Sequence, residues 1–426
     1  MPKLGAPLNA NGHAITGLPA PAAAADAASK SYVDARIAPP VVAPVRLMVF
    51  GHSGSTGFGL TDAVNNRATA RLGHHFPHRQ ALGEYNNGAD GMVIRYDGIQ
   101  SPRTPTSPGV KGWPRVYATS PFTSMRVKPI TPDRPGMILF WTASADLLVA
   151  SADATWKQTM RALACRVRCH YYNENHGTTA TTGTWTITSN TAGNGASGDS
   201  YLAGSVGATR QYVMATGTAQ PFAGRWINVG WIISGTGTQT ATVRTRVDGG
   251  AWQTDTISTW AGNMLPAVQR VQQSVAQAAT IDIEVVSKDA GATVGVDWIG
   301  VEAKYPPLVC IVEAQAGLPT AGYTSVASAG WPNASTFQAN PATVAAGYNT
   351  LLDDIVTEFL GTDGVQRVVR LPINSLLDPT DASFYQSDSI HFNEIGHAVL
   401  ASGWLKTLFP LMRPEYEMLN NTTGTG

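Results

Sequence analysis

The sequence predicts an α/β domain that is interrupted by an all-β insertion. Apolar segments at 45–50 and 308–312 are typical of strands in a parallel sheet, and each precedes a segment with helical spacing of apolar residues. Between them, from about 91 to 305, short alternating runs recur among Gly, Thr, Asn and Ser. Many short strands at close spacing indicate a β-sandwich or jelly roll.

Composition limits the partners of this protein. The chain has 426 residues, enough for two or three domains, and only 14% of them are charged, with 29 basic and 29 acidic side chains. Such a balance produces no field that attracts nucleic acid or an anionic membrane. We therefore expect no nucleic-acid partner and no membrane insertion. A neutral surface rich in Gly and Thr suits a sugar-like partner better.

Residues 1–42 form the first predicted segment. Residues 7–19 have the pattern of two short strands around an Asn-Gly turn, and residues 26–37 have that of a capped helix. Elements this short are unstable alone. We therefore expect the segment to pack against copies of itself, as an attachment and trimerisation element.

Residues 43–90 form the first part of the α/β domain. The strand at 45–50 leads into a glycine-rich turn, and Val64, Ala68 and Leu72 share one face of a predicted helix. Ser53 lies at the carboxyl end of the strand, where open α/β sheets keep their active sites.

The predicted insertion, residues 91–305, takes in every alternating run of the middle of the chain. We assign strands there to 136–141, 165–169, 182–187, 225–231, 241–247, 280–286 and 295–301. The three cysteines are too few for a disulfide framework, and we expect buried thiols.

The α/β pattern resumes over 306–412. After the strand at 308–312, apolar residues from Val344 to Phe359 keep helical spacing, and residues 367–371 form the next strand. A last helix contains Ile395 and Leu408, and residues 413–426 are predicted to be a flexible tail.

The candidate catalytic residues lie in two segments that are far apart in the sequence. Asp388 and His391 lie three residues apart, so that the carboxylate can accept the imidazole N–H and leave the other ring nitrogen as a base. Ser53 is the serine best placed to serve as the nucleophile. Ser55, two residues later, is the alternative. Together these residues predict a serine esterase.

The same residues carry a family resemblance. The segment 51–57, Gly-His-Ser-Gly-Ser-Thr-Gly, resembles the first block of the SGNH (GDSL-like) hydrolases, and 388–391 resembles their last block, Asp-x-x-His. The resemblance implies a flavodoxin-like three-layer α/β/α fold and a Ser53–His391–Asp388 triad that cleaves esters, often acetyl esters of carbohydrates. One position departs from the pattern, since His52 stands where the family usually has Asp.

The oxyanion donors are harder to assign from the sequence. The family supplies a Gly and an Asn from its middle blocks, and no Gly-x-Asn-Asp is present here. After the strand at 308–312, Gln315 can donate a side-chain amide and Gly317 a backbone N–H. Asn333 and Gly98 are alternatives.

The N-terminal segment carries a second resemblance. Its residues 7–35 resemble the PLN-x-N-G…DAA-x-K-x-YVDA element of phage tail fibres and tail spikes. This resemblance implies a virion protein, usually trimeric, that contacts other phage tail proteins and acts outside the host cell.

The two resemblances together predict a phage tail esterase that removes O-acetyl groups from host surface polysaccharide. It would need no metal and no organic cofactor. Two alternatives stay open: a receptor-binding fibre without activity on a degenerate SGNH scaffold, and an esterase of lipid or cell wall.

The insertion has a predicted role as well. If it leaves the sheet at the carboxyl ends of the strands, it forms a wall of the cleft beside Ser53. Exposed tryptophans of the insertion would then hold a polymer across the nucleophile. The candidates are Trp185, Trp226, Trp231, Trp252, Trp260 and Trp298.

Overall fold

The structure is a computed structural model of the chain. It describes residues 46–57, 59–62, 66–73, 78–83, 136–149, 154–173, 178–189, 200–213, 226–258, 265–272, 280–302, 307–360 and 368–422. The chain divides into two compact units, Pro44–Leu411 and a second unit made of Met1–Ala43 with Met412–Gly426. The predicted N-terminal hairpin and helix lie outside the described residues.

Strands and helices are numbered in chain order. The strands are β1 (Arg46–Gly51), β2 (His78–Gly83), β3 (Gly136–Trp141), β4 (Cys169–Asn173), β5 (Thr178–Thr182), β6 (Trp185–Ser189), β7 (Ser200–Gly204), β8 (Thr209–Val213), β9 (Trp226–Ser234), β10 (Thr240–Val247), β11 (Gln253–Ser258), β12 (Leu265–Gln272), β13 (Thr280–Lys288), β14 (Thr293–Glu302), β15 (Leu308–Val312) and β16 (Val368–Leu371). The helices are α1 (Ser53–Thr56), α2 (Ala68–Gly73), α3 (Ala143–Val149), α4 (Ala154–Arg168), α5 (Thr320–Ser328), α6 (Ala334–Ala339), α7 (Pro341–Glu358) and α8 (Glu394–Thr422), with a 3₁₀ turn at Ala382–Phe384.

A five-stranded parallel sheet forms the α/β part, in the order β16-β15-β3-β1-β2. Counted within this sheet alone, the order is 2-1-3-4-5, which is that of the flavodoxin-like doubly wound folds. Residues 137–141 of β3 and 309–312 of β15 are all buried, so both faces of the central strands are covered. The predicted mixed α/β architecture is confirmed.

Two antiparallel sheets form the sandwich. One has the order β11-β10-β13-β8-β5, and the other has β12-β9-β14-β7-β6 with β4 paired to β14. Their inner faces share one apolar core, in which Trp231 and Val294 of one sheet meet Val243 and Ile283 of the other. The inward-facing members of the alternating runs supply this core.

The predicted boundaries of the insertion are wrong at its start. The run 136–141 is not a sandwich strand, because β3 pairs with β1 and β15 in the middle of the parallel sheet. The run 165–169 is not a strand either, because it contains the end of α4. Apolar residues such as Trp156, Met160 and Val167 recur along α4 with helical spacing and are buried. Among the described residues, the sandwich begins at β4.

The predicted C-terminal tail is also corrected. Helix α8 extends to Thr422 and so covers most of 413–426. It continues past Pro410 and Pro414, residues that more often end or kink a helix.

The sandwich joins the parallel sheet at the amino ends of its strands. Arg168, the last residue of α4, binds the Glu302 carboxylate at 2.8 Å and the Pro307 carbonyl at 2.7 Å. Glu302 ends β14, and Pro307 directly precedes β15, so both junctions lie together at the amino end of β15. Ser53 follows the carboxyl end of β1, at the opposite edge. The described sandwich therefore does not leave the sheet at the edge that carries Ser53, as the prediction required of a wall beside the nucleophile.

A second set of contacts joins strand β12 of the sandwich to α7, and α7 to α4. Arg161 of α4 lies 2.6 Å from the Glu358 carboxylate of α7, and Arg270 of β12 lies 3.1 Å from the same group. The Arg270 guanidinium also covers the rings of Trp226 and Phe359, at 4.3 and 4.0 Å from their centroids. Trp226 is therefore a packing residue at this junction rather than a free stacking platform.

The Arg168–Glu302 pair predicts a large effect on stability, because both side chains are buried. Replacing Arg168 by Met leaves the Glu302 carboxylate unpaired, and we expect the free energy of unfolding to fall by about 3–5 kcal/mol. Lys157→Met is the matched control, since its pair with Asp354 is exposed and we expect a loss below about 1 kcal/mol. Urea unfolding measures both, and equal losses would contradict the assignment.

Candidate active site

Ser53 lies in a tight turn between β1 and α1. Gly51 ends the strand, and a Cβ atom there would lie 2.2 Å from the Ser55 hydroxyl oxygen, so the turn requires glycine. Gly57 ends α1 in the left-handed region at φ 70°. The turn presents Ser53 at the carboxyl edge of the sheet, with its side chain buried.

His52 has the role of an N-cap. Its Nδ1 accepts a hydrogen bond from the backbone N–H of Gly54 at 3.0 Å, as the carboxylate of an Asp would. Burial, together with the neighbouring His391, lowers the pKa of His52 from 6.5 to about 3. The imidazole is therefore neutral near pH 7, with its proton on Nε2. The departure from the family pattern keeps the turn intact.

The structure brings Ser53, His391 and Asp388 together. His391 Nε2 lies 2.7 Å from Ser53 Oγ, and His391 Nδ1 lies 2.6 Å from Asp388 Oδ2. The other carboxylate oxygen of Asp388 accepts the backbone N–H groups of Ile390 and His391 at 2.9 and 3.0 Å. In this arrangement Nδ1 donates to the carboxylate, and Nε2 accepts the serine proton.

A strained turn holds Asp388 and His391 in this geometry. Ser389 between them has φ 57°, in the left-handed region that non-glycine residues rarely adopt. Helix α5 packs directly on it, and a Cβ atom on Gly322 would lie 2.2 Å from the Ser389 carbonyl oxygen. The Ser325 hydroxyl donates to the Asp388 carbonyl at 3.1 Å. Glycine at 322 is what lets α5 approach the turn so closely.

Hydrogen bonds set the charge state of Asp388. Partial burial raises its pKa, but the bonds from the His391 ring and from the N–H groups of His391 and Ile390 outweigh burial and lower it from 3.8 to about 2. Asp388 is therefore a carboxylate across the neutral range and can stabilise an imidazolium beside it.

The prediction that Gln315 donates to an oxyanion is wrong for the geometry observed. Its amide nitrogen donates to the Gly317 carbonyl at 2.7 Å and to the Tyr385 hydroxyl at 2.6 Å. The Tyr385 hydroxyl in turn donates to the Pro379 carbonyl. Both amide hydrogens of Gln315 are thus used. Gln315 lines the pocket but ties the loop after β15 to the segment that precedes His391.

Gly317 is also placed differently from the prediction. Its surroundings are Thr380, Tyr323 and Pro379, and it is not among the residues that line the pocket beside Ser53. Its carbonyl accepts the Gln315 amide. The structure therefore does not bring Gly317 to the reacting atoms.

The alternative candidates have other partners. The Ser55 hydroxyl donates to the His52 carbonyl at 2.8 Å, within its own turn. The Asn333 amide donates to the Leu147 carbonyl at 2.7 Å and fastens the end of α3. His397 accepts the backbone N–H of Ala68 and is buried, as expected of a structural histidine. Gly98 lies outside the described residues.

A largely apolar pocket of about 90 Å³ opens beside Ser53 and His391. Its walls come from α3, from the segment 315–337 and from Ile390 and Phe392. No described residue of the sandwich lines it. The contribution of α3, including Ser144 and Leu148, is not predicted from the sequence, where this segment falls within the range assigned to the insertion.

The described residues include no group of three or more His, Cys, Asp or Glu side chains that could hold a metal ion. Within that same part of the chain, none of the helices has the length and apolar character needed to cross a membrane. Cys165, Cys169 and Cys310 are free and buried, as predicted, and burial raises the pKa of the Cys165 thiol to about 12. These thiols are therefore unreactive.

Comparisons with known proteins give likeness to solved structures only. No family model matches the sequence, and no curated protein matches it. The porcine torovirus hemagglutinin-esterase is similar over 86% of this chain and 89% of its own, at 9% identity and a TM-score of 0.34. A CBM35 from Paenibacillus barcinonensis is similar over 32% of this chain and 99% of its own, at 18% identity and a TM-score of 0.24. The Agl-KA catalytic domain is similar over 34% of this chain, at 15% identity and a TM-score of 0.26, and the chain spans only 36% of that domain.

The lowered pKa of Asp388 predicts a pH-dependent contribution to stability. Its folded pKa of about 2 lies below the ordinary 3.8, so the contribution is present above about pH 4 and is lost as the pH falls toward 2. Because the side chain is 36% exposed, we expect it to be on the order of 1 kcal/mol. Urea unfolding of the wild type and Asp388→Asn from pH 2 to 7 measures it. A difference between the two proteins that does not change with pH would contradict the expectation.

Proposed function

We propose that this protein is a serine esterase in which Ser53 is the nucleophile, His391 the base and Asp388 the residue that orients the base. One observation carries the proposal: the unbroken hydrogen-bonded series from Asp388 Oδ2 through the imidazole to Ser53 Oγ, with separations of 2.6 and 2.7 Å. A base within this distance of a serine hydroxyl is what nucleophilic acyl transfer requires. The strand order and the site make an SGNH-like domain the best description of the α/β part.

The chemistry follows from the geometry. As Ser53 Oγ bonds to the ester carbonyl carbon, its proton passes to His391 Nε2, and the electron pair of the C=O bond moves onto oxygen. The imidazolium then gives that proton to the leaving alkoxide, which departs as an alcohol. Water then attacks the acyl carbon as His391 Nε2 takes its proton, and the bond to Ser53 Oγ breaks as Oγ receives that proton, which releases the acid. The Asp388 carboxylate keeps its charge throughout and stabilises the imidazolium.

The pocket favours a short acyl group. A cavity needs on the order of 10–15 Å³ to hold one water molecule. The pocket volume of about 90 Å³ is therefore enough for a group of roughly six to nine atoms the size of a water oxygen. An acetyl or butyryl group fits this space, whereas a long acyl chain would have to extend beyond it. The pocket therefore supports a short-chain esterase over the alternative of a lipid esterase. We propose O-acetyl groups of host surface polysaccharide as the substrate.

The intact geometry also argues against the alternative of an inactive receptor-binding fibre. A degenerate scaffold has no need to keep the serine, the imidazole and the carboxylate in one hydrogen-bonded series. His52, the residue that departs from the SGNH pattern, leaves the turn in place.

The biological setting is proposed from the N-terminal resemblance alone. We propose that residues 1–42 attach the esterase to a phage tail as a homotrimer, in contact with other tail proteins. The enzyme would then act from the virion on the outside of the host cell.

Substitutions of the three site residues test the activity. We expect Ser53→Ala and His391→Ala to lower kcat on p-nitrophenyl acetate by about 10³-fold or more. Asp388→Asn should lose less, about 10²-fold, because its side chain is partly exposed and solvent can help to orient the imidazole. Each variant is assayed on p-nitrophenyl acetate and for acetate release from host polysaccharide. Turnover of p-nitrophenyl dodecanoate is compared with that of the acetate ester to test for a preference for long acyl chains.

The control variant is Ser55→Ala, which leaves the Ser53–His391 contact untouched. Wild-type turnover in folded Ser53→Ala would contradict the assignment of Ser53 as the nucleophile. Faster turnover of the dodecanoyl ester than of the acetyl ester would instead favour the lipid esterase.

Light scattering on the intact chain and on a chain that begins at residue 43 tests the assembly. We expect a trimer for the intact chain and a lower mass per particle for the shortened one, because elements as short as those of 1–42 need partners to be stable. A monomeric intact chain would contradict the tail-fibre proposal and leave the esterase proposal standing.

A further inference from the structure

Three side chains in the pocket beside Ser53 carry buried donor atoms that have no hydrogen-bond partner in the described part of the chain. The atoms are His52 Nε2, Trp141 Nε1 and Ser144 Oγ. Buried polar atoms in proteins are almost always paired with protein or ordered water, and an unpaired one lowers stability. Unpaired donors beside the Ser53–His391 contact point to a ligand oxygen that accepts hydrogen bonds there.

His52 presents a donor in one defined form. Because Nδ1 accepts the Gly54 N–H, the proton of the neutral ring must be on Nε2. Burial keeps the ring neutral near pH 7 by lowering its pKa to about 3. A neutral imidazole N–H is an effective electrophile toward a carbonyl oxygen, and enzymes lower a histidine pKa for this purpose.

Ser144 lies at the same edge of the sheet. Gly51 of β1 and Trp141 of β3 are directly paired, so the chain leaves both strands at the same level. Ser53 is the second residue beyond β1, and Ser144 is the third beyond β3. Adjacent parallel strands thus place the nucleophile and the Ser144 hydroxyl side by side at the carboxyl edge.

We propose that His52 Nε2–H and Ser144 Oγ–H form the oxyanion site of this enzyme. The inference rests on the proposed esterase function. Both groups donate to the ester carbonyl oxygen as it takes up negative charge, and neither gives up its proton. Buried, preoriented donors stabilise that charge more than water does. The Gln315 amide has no hydrogen left for this role.

Trp141 is left out of the site. Its ring packs edge-on against Trp404 and His397, with centroids 5.1 and 6.2 Å away. These contacts belong to the core of the α/β part, and Trp141 is 1% exposed.

Two variants separate a catalytic role from a structural one. Ser144→Ala removes only the hydroxyl, and because that hydroxyl is buried and unpaired, we expect an equal or higher melting temperature. His52→Asn keeps an acceptor for the Gly54 N–H, since Asn is among the best N-cap residues, but removes the imidazole donor. We expect kcat on p-nitrophenyl acetate to fall about 10²-fold in each, with KM nearly unchanged. Ser328→Ala, an exposed serine on α5, is the matched control with wild-type values.

The outcomes distinguish this inference from the esterase proposal. If Ser53→Ala is inactive while either variant keeps the wild-type kcat, that residue does not belong to the oxyanion site and the esterase proposal stands. If kcat and the melting temperature fall together in both variants, their roles are structural and the inference is overturned. If Ser53→Ala itself keeps the wild-type kcat, the esterase proposal fails first. A lower kcat at an unchanged or higher melting temperature supports the site.

Discussion

The hydrogen bond between Ser53 Oγ and His391 Nε2 joins residues that are 338 positions apart in the chain. It exists because the parallel sheet places the carboxyl end of β1 at the same edge as the segment that follows β16, which carries His391. The turn at Ser389 must also be held from outside, and α5 does so through the close approach at Gly322. The parallel sheet and α5 thus both contribute to one 2.7 Å contact.

The same constraint explains the position of the sandwich. An insertion at the carboxyl edge of the sheet would compete for space with the loops that carry Ser53 and His391. Here the sandwich is attached at the amino edge, through the buried Arg168–Glu302 pair and through the Arg270–Glu358 pair. It adds a large β unit, none of whose described residues lines the pocket. We infer that any sugar contacts it makes lie away from the nucleophile.

Much of the site could be predicted from the sequence, because its parts are local patterns. A serine after an apolar strand and an Asp-x-x-His before a helix each specify short-range geometry, and parallel strands share one active edge. The start of the sandwich could not be predicted as well. A short apolar run such as β3 looks the same in a parallel sheet and in a sandwich, and only its pairing decides. For α4, a segment of five residues, 165–169, is too short to show a helical period. The period becomes visible only over the longer stretch that includes Trp156, Met160 and Val167.

The oxyanion donors could not be predicted from local sequence patterns, and the reason is physical. Whether an amide is free to bind substrate depends on its partners, and the Tyr385 hydroxyl that occupies Gln315 lies 70 residues away in the chain. His52 shows the converse. The sequence presents it as a departure from Asp, whereas the structure gives it the same capping bond and an additional N–H in the pocket.

Covalent labelling of the nucleophile tests the central claim most directly. The protein is treated with diethyl p-nitrophenyl phosphate, and the modified residue is identified by peptide mass spectrometry. We expect one diethylphosphoryl group on Ser53, formed much more slowly in His391→Ala because the base is missing. An adduct on Ser55, or labelling of Ser53 at the same rate without His391, would contradict the account.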